Sequence, residues 1–439
     1  MLTQADNELL CLTAPTQVGG DLLRRYWQPI ALSSDIPPGS RPIAIRIMSE
    51  DLTLFREEDG QLGLIDLHCA HRGADLSYGR LEDGGLRCLY HGWLFDKTGQ
   101  CKEQPGEPGN SFAEKVSLKA YPTIEKAGLI FAYLGPGAPP LLPAYEPLNV
   151  PEEHRWVAKY YHDCNYLQAN EGNYDPCHPM FLHGFLEGAT GTNLANAHPK
   201  ENHVFRPEAR LGRVPVALET EDTDFGVRSW AMRNVEGTNE RAVTLDNFIM
   251  PNLCAVQGGP GPLGDGYLIY WHVPIDDHSH WRYAIAFKRS GPLDPSRGAR
   301  RTAMLDEKFR FPNNPANRYL QNREEMIDGS FSGFGSVFIV GDHWATETAG
   351  SIQDRTQEHL GASDRQITAA RKMLFRGIRA IQAGEDPPHV IRSDDDNSLL
   401  HIQVWEEIFD SSVTLEQFRA LKQVPTSAHS KIGFSTGGH

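Results

Sequence analysis

The chain has 439 residues, 40% of them hydrophobic, and a mean hydropathy of −0.44. That length suggests two or three domains with ample core rather than one small domain. A net charge of −15 argues against a nucleic-acid partner, and no run of 18 apolar residues marks a membrane-spanning helix.

The start, Met1-Leu2-Thr3-Gln4-Ala5-Asp6, has no basic stretch followed by an apolar one, so no secretory leader is expected. Leu22–Gln28 reads as a short helix that opens the ordered part and is stopped by Pro29. Pro42–Ile47, Leu52–Phe55 and Leu62–Asp66 are β-rich runs, the last two separated by the turn residues Glu57-Glu58-Asp59-Gly60. Gly135-Pro136-Gly137-Ala138-Pro139-Pro140 has linker composition, which places a domain boundary near 150. Beyond it, strands are expected at 214–219, 227–233, 242–248, 266–273 and 282–288. Helices are expected at 159–170, 300–309 and 363–384, with Ser363-Asp364-Arg365-Gln366 as a capping box. Strands and helices without regular alternation give an α+β class.

Two segments carry chemistry. The first is Cys69-Ala70-His71, then sixteen residues, then Cys88-Leu89-Tyr90-His91. Two thiolates and two imidazoles in this alternating order suit an asymmetric [2Fe-2S] cluster, with the thiolates on one iron and the imidazoles on the other. Zinc is the alternative, but a one-residue spacer is shorter than zinc sites use. Gly73 and Gly92 behind the ligands let the backbone turn tightly. Five cysteines remain, an odd and scattered set that fits a reducing cytoplasm. Among them Cys177 reads as a small buried thiol beside the second segment.

That second segment is Asp175-Pro176-Cys177-His178-Pro179-Met180-Phe181-Leu182-His183. Two histidines plus a distant carboxylate would make a facial triad that binds iron(II) and leaves positions open for oxygen. On an ideal helix five residues turn about 500°, so the histidines would diverge. Pro176 and Pro179 supply the irregularity that chelation needs. Asp175 and His178, three apart, would share a helical face, so the Asp175 carboxylate would accept from the non-ligating His178 nitrogen.

Together these segments resemble the Rieske non-haem iron oxygenases, with Ala70 where that family usually has proline. The resemblance implies an N-terminal all-β Rieske domain (1–149) and an α+β catalytic domain with an antiparallel sheet (150–439). It implies cluster ligands Cys69, His71, Cys88 and His91, and mononuclear iron held by His178, His183 and a downstream Asp. Asp342, followed five residues on by Glu347, matches that position better than Asp354, whose neighbour Arg355 suggests an ion pair; His343 is not expected to be a ligand. Asp175 would bridge His178 to His91 of a neighbouring subunit, which implies a head-to-tail trimer, single or stacked.

Arg25-Tyr26-Trp27, Tyr78-Gly79-Arg80, Asp83–Cys88 and Asp354–Gly361 resemble the phthalate-dioxygenase-like branch, as does Glu171 four residues before Asp175. The branch implies O2-dependent hydroxylation of an aromatic, carboxylated substrate, or O-demethylation by the same chemistry. It also implies a separate flavin and iron–sulfur reductase, and the scattered cysteines suit a cytoplasmic enzyme. An electron carrier with a non-catalytic second domain, or a zinc-stabilised binding protein, would differ in iron content. Arg206, Arg210, Arg228 and Arg233 could each meet a carboxylate, and Phe185, Phe248, Phe331 and Phe334 could line a pocket. None is singled out by a local motif.

Overall fold

A computed structural model describes residues 1–109, 112–184, 211–212, 214–258, 265–334, 337–400 and 402–423. Its N-terminal part is built from small antiparallel sheets. Ile43–Ile47, Glu50–Arg56 and Leu62–Asp66 form one meander, and four strands between Arg80 and Glu103 form another. Gln28–Leu32 joins Thr123–Lys126 and Leu129–Ala132 in a third. Phe55, Ile65, Leu76, Leu86, Trp93 and Phe95 make a local core that also contains Cys69 and Cys88. The ligand loops thus stand on a packed base.

The second part is organised by an eight-stranded antiparallel sheet. Its spatial order runs Arg155–His162, His280–Phe287, Leu268–Pro274, Leu253–Val256, Glu240–Ile249, Gly226–Val235, Ala217–Asp222, with Trp405–Asp410 also pairing to Glu240–Ile249. The helix Tyr166–Tyr174 packs on the central strands and Arg365–Gln382 on the last two. Side chains alternate across a strand. Trp230, Met232, Val243 and Leu245 therefore face the opposite layer, where Leu415 and Phe418 cover them. The main apolar cluster runs without a break from Leu10 through Phe131 and Trp271 to Ile378, so both parts share one core.

All five expected strands of the second part form, with ends shifted by a few residues, but several other expectations fail. The N-terminal helices are Gln4–Cys11 and Val18–Arg24, and Pro29 lies inside a strand. The strand tolerates it because the register breaks between Pro29 and Ala31, where a ladder donor is not needed. Residues 159–162 are strand, because alternate side chains are buried along Arg155–His162; the helix begins only after Asn165, whose side chain accepts from the Leu167 N–H. The helix expected at 300–309 is Pro295–Thr302. Asp306 accepts from the Lys308 and Arg310 N–H groups and makes a turn instead. The Ser363 capping box does not form: Asp364 is the N-cap of Arg365–Gln382 and its carboxylate accepts from the Gly361 N–H. The strands Leu253–Val256 and Trp405–Asp410 were not anticipated. Among the described residues no helix is long and apolar enough to cross a membrane.

Candidate active site

The two loops of the first motif are built alike. Cys69 N–H donates to the Ala74 carbonyl and Gly73 N–H to the Cys69 carbonyl; Cys88 N–H donates to the Trp93 carbonyl and Gly92 N–H to the Cys88 carbonyl. Gly73 and Gly92 both have positive φ, 74° and 76°, which an L side chain adopts only with strain. Cys69 and Cys88 are buried, whereas His71 and His91 are exposed with ring centroids 4.3 Å apart. Trp93 stacks on His71 at 4.6 Å and Tyr90 leans on His91 at 3.9 Å.

Burial and the adjacent Cys88 push the Cys69 thiol up to about 11, against loop N–H bonds that lower it. A thiol held this way becomes a thiolate only with a cationic group beside it. Among the described residues, groups of three or more donors within 4.8 Å occur at two places, and neither includes this quartet. A single tetrahedral zinc would draw its donors closer than that. A two-metal cluster, with thiols at one end and imidazoles at the other, fits the spread.

The second motif converges with Asp342. Pro176 ends the first helix, Pro179 opens the one-turn helix Pro179–Leu182, and His178 and His183 flank it. Their rings lie 5.3 Å apart with planes at 77°. Asp342 sits on the helix Phe338–Glu347, with Oδ1 3.0 Å from His183 Nε2 and 3.7 Å from His178 Nε2. The three donors lie within 4.8 Å of one another, which suits one ion and leaves its other face free.

Burial works to raise the Asp342 carboxyl, but the charge and hydrogen bond of His183, with His178 and Arg282 behind them, hold it well below the usual range. Burial likewise lowers His178 and favours the neutral imidazole that a metal needs, although Asp175 opposes it. Gly341 permits the approach: a Cβ there would stand 3.2 Å from Leu182 and 3.3 Å from His183. A cavity of about 150 Å³ opens beside these donors, lined in part by His162, Ala169, Asn173 and Thr346. Sequence reasoning gave a role to none of these four, nor to Gly341; only the position of Gly341 beside Asp342 offered a local signal.

The expected Asp175–His178 contact is different. Asp175 caps the first helix in an extended conformation, so the pair shares no helical face. His178 Nδ1 donates to the Asp175 backbone carbonyl at 2.9 Å, and the carboxylate lies 3.8 Å away. Asp354 is exposed and closes its own turn, accepting from the Thr356 N–H and hydroxyl. Arg355 pairs with Glu171 at 2.8 Å. His343 donates to Glu347, whose other oxygen accepts from Tyr319.

His162, His343 and Glu347 also come within 4.8 Å. The two rings, however, are stacked at 3.7 Å and 26°, so their nitrogens do not converge as on one ion.

Cys177 is partly buried and meets Arg233, which also donates to the Pro176 carbonyl. Arg228 is buried beside Glu221. Phe248 is buried against Tyr174, Phe331 packs on Phe181 and Phe334 on Trp344. Arg206, Arg210 and Phe185 lie outside the described residues.

Residues 26–122 match the Rieske [2Fe-2S] domain, and residues 132–430 match a family described as LigXa C-terminal domain like. The phthalate 4,5-dioxygenase oxygenase subunit of Pseudomonas putida is 34% identical over 401 residues, 88% of each chain. The 5,5'-dehydrodivanillate O-demethylase oxygenase subunit of a Sphingobium species is 31% identical, covering 96% of this chain and 91% of that one. The terminal oxygenase of carbazole 1,9a-dioxygenase from Nocardioides aromaticivorans shares the fold at 17% identity, with a TM-score of 0.57 over 85% of this chain and 97% of that one. By these matches and by the two metal-binding motifs, the chain belongs to the Rieske non-haem iron oxygenases, as an oxygenase component of the phthalate-dioxygenase-like branch that uses a [2Fe-2S] cluster, mononuclear iron and O2.

Proposed function

We propose that this protein oxygenates an aromatic carboxylate. The observation that carries the reading is the convergence of His178, His183 and Asp342 at one cavity. In this reading Cys69, His71, Cys88 and His91 hold the cluster, and His178, His183 and Asp342 hold the iron. Bound there, the cluster supplies electrons singly and the iron supplies oxygen activation. The chain's own part is to hold Asp342 ionised and His178 neutral, to fix the His178 ring through the Asp175 carbonyl, and to keep the chemistry in a lined cavity.

Relatives named for phthalate, phenoxybenzoate and 3-chlorobenzoate support a ring-bearing acid. The dehydrodivanillate relative, aligned over 96% of this chain, supports O-demethylation as the second reading. The Asp175 carboxylate, partly exposed at a pocket mouth with Glu358 and Asp364, is the place for electrons to arrive from His91 of a second copy in a head-to-tail trimer. The domain boundary falls near 150. Solved relatives in complex with ferredoxin support a separate electron donor, which we take to be a flavin and iron–sulfur reductase.

The test is oxygen uptake with a surrogate reductase and a panel of benzoates, phthalates and methoxybenzoates. Substrate-dependent uptake is expected, with formaldehyde release from a methoxylated acid if the second reading holds. No uptake above the substrate-free rate with any aromatic acid would refute the proposal.

A further inference from the structure

A hydrogen-bond chain that ends at Asn173, in the lining of the same cavity, has a forced direction. His280 Nδ1 lies 2.7 Å from the Cys164 carbonyl oxygen. A carbonyl can only accept, so Nδ1 carries the hydrogen. His272 and His280 are fully buried. Burial, with nearby His343 and Arg282 adding to it, lowers His280 to about 3 despite the opposing Cys164 bond, and burial holds His272 well below its ordinary value. Each ring is therefore neutral and has one N–H.

His280 Nε2 is then a lone pair, and His272 Nδ1, 3.1 Å away, must donate to it. His272 Nε2 is left as a lone pair as well. Its neighbour at 3.0 Å is the Asn173 side-chain amide, set with Oδ1 at the contact. Two acceptors would repel there. The amide nitrogen and oxygen are nearly the same size, and the network decides between them. The NH2 must take this contact, and the Cys254 thiol, 3.7 Å from the same atom and its donor when that atom is Oδ1, then turns its Sγ to accept the second amide hydrogen.

We infer that Asn173 turns its carbonyl oxygen into the cavity, a fixed acceptor that selects aromatic ligands carrying a hydroxyl donor. Asn173 lines that cavity beside His178 and Asp342, and the amide's outer atom makes no hydrogen bond among the described residues. The Cys164 carbonyl anchors the far end, so the amide cannot rotate without setting lone pair against lone pair. The selection rests on the reading of this cavity as the substrate site; the amide direction does not.

Neutron diffraction from deuterium-exchanged crystals of the holoenzyme tests the direction. Deuterium is expected on Nδ1 of both His272 and His280 and on the Asn173 atom nearest His272. Deuterium on His272 Nε2 overturns the inference. Anaerobic calorimetry then compares benzoate with its three hydroxy isomers. At least one isomer should bind roughly tenfold more tightly than benzoate, and that preference should fall below about twofold in Asn173→Ala. Equal affinity for all four acids in the wild type overturns the selection. Failure of every acid to bind, with the deuterium pattern intact, refutes the aromatic-acid reading and leaves the amide direction standing.

Discussion

His178 donates to the backbone carbonyl of Asp175, while the Asp175 carboxylate stands 3.8 Å from the same nitrogen. The carboxylate therefore has a separate task. Its Oδ1 accepts from the Cys177 N–H at 2.8 Å, and an amide oxygen could do the same. Asp175→Asn should keep full iron content and an unchanged cluster spectrum, yet lose at least about tenfold in turnover. Stopped-flow single-turnover measurements would show it. Turnover within twofold of wild type would remove the Asp175 carboxylate from the electron route.

Asp342 and Asp354 make opposite predictions. Asp342 shares its cluster with two histidines, while Asp354 folds back on Thr356. Holoenzyme should contain about three irons per chain, two in the cluster and one outside it. Asp342→Ala should lower this to about two and leave the cluster's electron paramagnetic resonance unchanged. Asp354→Ala should leave the count at three. The reverse pattern would move the third ligand.

The candidate metal motifs stand out in the sequence because ligation would fix residue type and spacing locally. Cys69, His71, Cys88 and His91 lie within 23 residues, and two prolines announce the break between helices that His178 and His183 flank. The strands of the large sheet were legible from alternation. What failed depended on partners distant in sequence. Residues 159–162 look helical alone, but they pair with His280–Tyr283 across the chain. The role of Asn173 depends on His272 and Cys254, 99 and 81 positions away. The backbone carbonyl of Asp175 is chemically anonymous, so no side-chain pattern could report its bond to His178.

Glu171 is the anchor of a buried charge network. It accepts from Arg355 at 2.8 Å and from Arg371 at 2.6 Å, and Arg371 also pairs with Glu358. Burial opposes the Glu171 charge, but the two guanidiniums outweigh it and hold the carboxyl below its ordinary value. Glu171→Ala would leave two buried guanidiniums with Glu358, on Arg371, as their one carboxylate partner among the described residues. Breaking such a pair from one side costs about 3–5 kcal/mol. Denaturant midpoints of the variant should fall accordingly; a loss under about 1 kcal/mol would mean that water replaces the carboxylate.

His162, His272 and His280 set the acid limit of the fold. All three are buried, and burial holds each below the ordinary 6.5. The unfolded chain would protonate them near 6.5 while the native protein does not. Their contribution to stability is therefore complete above that pH and is lost as pH falls below it. Each should remove about 1.4 kcal/mol per pH unit in that range. The buried carboxyls of Asp246 and Glu406 are raised by burial and take up protons in the native protein, which opposes this slope, so the difference between wild type and a histidine variant is the readout. His162 is the best probe, because neither ring nitrogen has a hydrogen-bond partner among the described residues and its ring stacks on His343 and His280. His162→Phe keeps the stacking surface and removes one titrating group. The stability of the wild type from urea unfolding should fall more steeply between pH 7.5 and 5.5 than that of the variant, by up to about 1.4 kcal/mol per pH unit. A variant profile parallel to that of the wild type would show that the His162 ring is already charged in the native protein, or that water reaches it.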